Sequence, residues 1–358
     1  MKKALGLVLG LLIAVTTFAG NKQFDTMVIF GDSTSDNGNL YRYLLSTLPV
    51  SPPYYEGHFS NGPLWVEQLY DSYYPEGNAE GFQDYAVGGA GAVLSYKQKL
   101  PFTLAIEISN YLYWHTYGKK DTTLYTLWIG ANNYLNGPTN IESITDSVVA
   151  AIGNALERLI ITGGNKFFVI NLPDLGNTPH AIKLGNQELV TELVSVHNYK
   201  LAAKVEELKA QYPEVTFIYF DVYSILKDAV DHASELGFSN VTDSCYLGGY
   251  TGWLSKSPPS DKTLQAYFKQ QDPKFNSTYW NMIETNPQLK EAAIASYLSS
   301  MLPAKNKDEA ASCDGHVFWD AVHPTTKAHS FIAQKARELI DAEGLEALSI
   351  VFPVAPLG

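Results

Sequence analysis

Five short apolar runs, at 26–30, 83–87, 124–129, 166–171 and 215–220, punctuate the first two thirds of the chain. Between them lie segments with helical periodicity. Ile141, Ile144, Val148, Ile152, Leu156 and Leu159 form one long stripe, Leu104, Ile108, Tyr111 and Leu112 a shorter one, and residues 190–208 another. Strands buried on both faces read as continuous apolar runs, and regular alternation with helices favours a parallel sheet covered on both sides. The expected architecture is therefore α/β, a three-layer α/β/α sandwich around a central parallel sheet of about five strands, flavodoxin-like in plan. Ligands of such sheets sit beyond the carboxyl ends of the strands.

The alternation breaks at 237–312. This stretch carries TDSCYLGGYTGW, the polar SKSPPSDK and a helix-like run over 286–301, and reads as a lid-like insertion closed by a disulfide. Helical periodicity returns over 324–342, where Pro324 suits a first helical turn. No internal repeat or low-complexity tract interrupts the chain.

Residues 1–19 do not fit the fold. Lys2 and Lys3 precede an apolar run from Ala4 to Val15, and Thr17-Phe18-Ala19 supplies small residues of a cleavage site. This is the pattern of a cleaved secretory signal, too short to span a bilayer comfortably. The expectation is an exported protein with one domain over 20–358. Net charge is −12, or −14 once Lys2 and Lys3 are removed. That excludes nucleic acid as a natural partner and purely electrostatic docking on anionic lipid, so contact with a membrane surface must be apolar or aromatic. The only two cysteines, Cys245 and Cys313, are expected to pair in an oxidising compartment, and with His316 alone nearby they make no compact metal cluster.

The chemistry is concentrated at strand ends. FGDSTSDNGN (30–39) follows the first apolar run and, alone, is a turn, a phosphate cradle or the seat of a nucleophile. A serine hydroxyl attacks only when a base takes its proton. Among eight histidines, His323 in FWDAVHPTTKAH is the best placed, because Asp320 lies three residues before it and can fix its tautomer. DYAVGGAGA (84–92) and WIGANNYLNG (128–137) end two further strands with glycines and with the amide pair Asn132-Asn133, groups suited to donate hydrogen bonds to an oxyanion. Each motif alone also reads as a turn or a helix cap.

In this order and spacing, FGDSTSDNGN, DYAVGGAGA, IGANN and DAVH resemble the four signature blocks of the GDSL or SGNH hydrolases. SPPYYEGHFSNGPLWVEQL (51–69), NLPDLGNTP (171–179), the His-Asn pair at 197–198 and FWDAVHPTTKAH are similar to the bacterial lysophospholipase and glycerophospholipid:cholesterol acyltransferase branch, over nearly the whole chain after residue 19. The resemblance implies Ser33 as nucleophile, Asp320 and His323 as its partners, and Ser33, Gly89 and Asn132 as the oxyanion donors. It implies no metal or organic cofactor, (lyso)phospholipids as substrates, and cholesterol as an acyl acceptor in place of water. Two positions depart from the pattern: Asn133 stands where the family has aspartate, and Asp84 where it has asparagine. Other readings stay open here. The family also includes carboxylesterases, thioesterases and carbohydrate deacetylases, and a phosphate-binding flavodoxin-like protein or a non-catalytic surface protein would share the fold.

Overall fold

The computed structural model describes residues 22–348 apart from 45, 47, 50, 95–101, 118–119, 136–137, 247–258, 287–288, 291–292, 295–296 and 298–312. The expected leader at 1–19, most of the 286–301 run and part of the 237–312 insertion lie outside the described residues.

All five expected strands form, in one parallel sheet. They are β1 (Thr26–Gly31), β2 (Phe82–Asp84), β3 (Thr123–Trp128), β4 (Lys166–Ile170) and β5 (Thr216–Phe220), in the spatial order β2-β1-β3-β4-β5. Every residue of β3 and β4 is buried, which explains their mostly apolar character; Lys166, a buried exception, opens β4. The second strand is shorter than expected. After Asp84 the chain continues beside β1 through Tyr85 N–H to Ile29 O and Val87 N–H to Gly31 O, then turns away at Gly88.

Helices Leu104–His115 and Gln187–Gln211 pack against Ile141–Ile161 on one side, while Trp65–Tyr73 pairs with Thr326–Ala342. The latter helix starts two residues later than its proline suggests. Thr325, not Pro324, is the N-cap, its hydroxyl accepting from Ala328 N–H at 3.3 Å.

The chain steps from β1 to β2 in one direction and afterwards crosses back to β3 and beyond. That reversal opens a crevice past the carboxyl ends of β1 and β3, where FGDS and IGANN emerge. A small annex completes the fold. Asn240–Ser244 pairs in parallel with His316–Phe318, and the Cys245–Cys313 disulfide links the flanks of that pair. Helices Asp261–Gln271 and Ser277–Thr285 of the insertion add Phe268, Trp280 and Ile283 to the main core. Among the described residues, no helix is long and apolar enough to cross a membrane.

Candidate active site

The nucleophile loop is held from both sides. Gly31 is required at the end of β1, since a Cβ there would lie 2.7 Å from Trp128 O on the neighbouring strand. Its N–H donates to Glu107 Oε2 at 3.0 Å. Asp32 folds the next turn by accepting from Thr34 N–H and Oγ1 at 3.1 and 2.8 Å. Burial raises the Asp32 pKa, against the pull of the Thr34 bonds and His323. Ser33 sits on this turn, 6% exposed.

Ser33 Oγ lies 2.8 Å from His323 Nε2, across 290 residues of sequence. The other imidazole nitrogen, Nδ1, lies 2.9 and 2.8 Å from the two Asp320 oxygens. Asp320 is fully buried and also accepts from Val322 N–H, His323 N–H and the Tyr54 hydroxyl, at 2.9, 2.8 and 2.8 Å. Burial works to raise its pKa, but the charge and hydrogen bonds of His323 with the backbone donors outweigh it and hold the carboxyl below its ordinary range. A serine, an imidazole and a carboxylate thus form one hydrogen-bonded chain. It is arranged to take a proton from the hydroxyl and to stabilise the imidazolium that results.

The stretch 51–69 explains itself in this geometry. Tyr54 bonds Asp320, and the Phe59 ring lies 5.0 Å from the His323 ring. Ser60 Oγ donates to Pro324 O and Asn61 Oδ1 accepts from Thr326 N–H. A Cβ at Gly62 would stand 2.8 Å from Thr326. One segment therefore clasps the loop that carries the acid and the base.

The expected oxyanion donors stand on three interlocked loops, and of them Ser33 and Asn132 line a common cavity while Gly89 does not. Gly89 has φ +80°, a conformation glycine adopts without strain. Asn132 Nδ2 donates to Ala90 O at 2.9 Å, which leaves its second amide hydrogen for a ligand. Asn133 bridges the same loops, accepting from Ala92 N–H and donating to Val93 O, both at 2.9 Å. Asp36 ties the glycine loop to the serine loop. Its carboxylate accepts from the N–H groups of Gly38, Leu40 and Gly88 at 2.8, 3.1 and 2.6 Å, and from Asn39 N–H. Asp84 accepts from Asn37 and Ala86 N–H groups, and burial with the nearby Asp36 raises its pKa well above normal.

Ser33, Asn132 and His323 open on a cavity of about 420 Å³. Trp128, Leu135, Leu172, Leu226, Val230 and Phe331 give it an apolar wall. Two of the sequence blocks shape it. Asn198 pins Leu172 through both its N–H and its C=O, and His197 Nδ1 pairs with the Tyr134 hydroxyl at 2.9 Å. An apolar pocket with a few convergent polar groups at one end suits a hydrocarbon chain carrying an ester.

The model of the GDSL-like lipase/acylhydrolase family matches residues 27–336. The chain belongs to this family. It is 32% identical to a phosphatidylcholine-sterol acyltransferase of Aeromonas hydrophila, over 96% of this chain and 98% of that protein. A thermolabile hemolysin of Vibrio parahaemolyticus is 26% identical over 88% of this chain and 64% of its own length. A GDSL esterase/lipase of Arabidopsis thaliana is 23% identical, over 86% of this chain and 85% of its own length.

As a member of the GDSL family, the chain accommodates both departures through hydrogen bonds. Asn133 uses its carbonyl as an acceptor, as an aspartate would, and adds a donor to Val93. Asp84 offers two acceptor oxygens to two backbone N–H groups, which an asparagine could not do on both sides. Sequence reasoning missed Asp36, Tyr54 and Glu107. Asp36 looked like part of a polar turn, Tyr54 is one of 23 tyrosines, and Glu107 lies on a helical stripe. Only burial sets them apart, at 0%, 4% and 2% exposure.

Proposed function

We propose that the protein is an exported serine esterase that cleaves fatty-acyl esters of phospholipids and lysophospholipids through an acyl-serine intermediate. The observation that carries the reading is the Ser33–His323–Asp320 hydrogen-bond chain opening directly on an apolar cavity. In the proposed reaction His323 Nε2 takes the Ser33 proton as Oγ attacks the ester carbonyl. The N–H groups of Ser33 and Gly89 and the Asn132 amide stabilise the tetrahedral oxyanion, each such donor being worth about 3 kcal/mol in the barrier. The C–O bond then breaks, the alkoxide leaves with the proton from His323, and acyl-Ser33 remains. Water, deprotonated by His323, releases a fatty acid. A sterol hydroxyl entering in its place gives a sterol ester, an outcome in keeping with the name of the Aeromonas relative.

The cavity's apolar wall supports a lipid acyl chain as the group held. In this reading the leader at 1–19 is removed on export, residues 20–358 act as one catalytic domain with 237–312 inserted, and the enzyme touches lipid surfaces transiently through apolar groups. The test incubates wild type and Ser33→Ala with lysophosphatidylcholine, diacyl phosphatidylcholine and cholesterol, with fatty acid and cholesteryl ester as readouts. Fatty-acid release by wild type alone is expected, and equal release by both proteins refutes the assignment. Mass analysis of the exported protein, expected to begin near residue 20, tests the leader.

A further inference from the structure

The insertion reaches the glycine loop of the site through one side chain. Helix Ser277–Thr285 ends at Asn286, which is fully buried. Its Oδ1 accepts from Leu289 N–H at 3.0 Å, and this bond fixes the amide so that Nδ2 points the other way. Among the described residues, Nδ2 is buried without a hydrogen-bond partner. What it faces is Gly89: a Cβ built there would lie 3.4 Å from Asn286 Nδ2 and 3.6 Å from Leu289 Cδ2. A buried donor left unmade costs about 1–3 kcal/mol, and such groups are few in folded proteins. Asn132 is unlike it, because one of its amide hydrogens is already held by Ala90 O.

We infer that Asn286 is a further substrate-contacting donor, supplied by the insertion, whose Nδ2 donates to the ester oxygen of the bound acyl group beside Gly89. The inference rests on the acyl-serine reading above. In this reading the substrate's ester carbonyl, or the oxyanion formed from it, supplies the acceptor for Nδ2. The insertion thereby becomes part of the site's chemistry. Leu289, itself buried, packs on the same side of Gly89.

Asn286→Asp keeps the acceptor for Leu289 N–H and replaces the donor with a carboxylate oxygen, while Asn286→Ser removes the amide without adding charge. Wild type, both variants and Ser33→Ala are assayed for kcat and KM on lysophosphatidylcholine, for Tm, and for the rate of inactivation by a long-chain alkyl fluorophosphonate. The expected result is a kcat lowered about 10²-fold in Asn286→Asp, with KM within about twofold and phosphonylation slowed in parallel. Asn286→Ser, with a Tm near that of wild type, is expected to lose about tenfold in both. A folded variant with kcat and phosphonylation within about twofold of wild type overturns the inference. So does a structure of phosphonylated wild type in which Nδ2 lies more than about 3.5 Å from every phosphonyl oxygen, a result that needs no variant to fold. Full activity in Ser33→Ala would instead bring down the acyl-serine reading itself.

Discussion

Replacing Tyr54 with phenylalanine removes a single oxygen and tests how the acid of the site is held. The ring stays packed against Phe59, Tyr246 and Trp319, at centroid distances of 6.2, 5.8 and 5.8 Å. What goes is the 2.8 Å bond from the hydroxyl to Asp320 Oδ2. A hydrogen bond to a charged acceptor contributes about 1.5–3 kcal/mol. Asp320 keeps His323 Nδ1 and the N–H groups of Val322 and His323, so the lower figure applies. If that loss is felt when the imidazolium forms, kcat falls about tenfold, since 1.36 kcal/mol is a factor of ten. KM should hold, because Tyr54 does not line the cavity.

The pH dependence has a definite sign. Asp320 is held below its ordinary pKa, so it contributes stability above the unfolded carboxylate pKa that is lost as pH falls through the folded value. Losing the Tyr54 donor raises the folded pKa, and both the acid limb of kcat and acid unfolding should begin at higher pH in Tyr54→Phe. Stopped-time assays with a soluble p-nitrophenyl ester across the acid range, with thermal melts at each pH, measure both. A variant with unchanged kcat and an unchanged acid limb would refute the idea that Tyr54 steadies the carboxylate.

Three other perturbations follow from the same geometry. Asp36→Asn leaves one acceptor oxygen where two now serve four backbone N–H groups, so two bonds are lost and Tm and kcat should fall together, by about 2–4 kcal/mol in stability by urea unfolding. Glu107 is buried with its pKa raised well above normal, chiefly by burial, so its folded state loses stability as pH rises from the ordinary glutamate range through the raised value. Glu107→Gln keeps an acceptor for Gly31 N–H and should show a smaller drop in Tm between pH 5 and pH 8 than wild type. For esters of increasing chain length, kcat/KM should rise about fourfold per methylene until the cavity is full, from about 0.8 kcal/mol per buried CH₂, and Leu135→Trp should move that plateau to shorter chains.

The sheet was legible because β3 and β4 are buried on every residue and so carry their signal in mostly apolar runs. The edge strand β2 was overextended because Tyr85 and Val87 still bond β1 after the regular ladder has ended. The Ser33–His323–Asp320 hydrogen-bond chain was legible because a hydroxyl, an imidazole and a carboxylate in such a chain must each be a particular residue type. Asp36 and Tyr54 were not, because backbone N–H groups and a carboxylate oxygen can be satisfied by many side chains, and only the fold determines which one arrives. Asn286 carried still less signal: an asparagine after a helix reads as a cap, which its Oδ1 indeed is.

The two ends of the Ser33–His323 bond are made at opposite times. Ser33 leaves the ribosome early, whereas His323 stands on a turn between the strand His316–Phe318 and the last long helix, 290 residues later. A contact of such sequence separation carries a large loop-closure entropy, which slows folding. A chain stopped between Phe220 and Asn240 would hold Ser33 and all five sheet strands yet lack the imidazole that Ser33 pairs with. Recovered acylhydrolase activity during refolding thus reports the final long-range docking step, and unfinished chains lack the paired site.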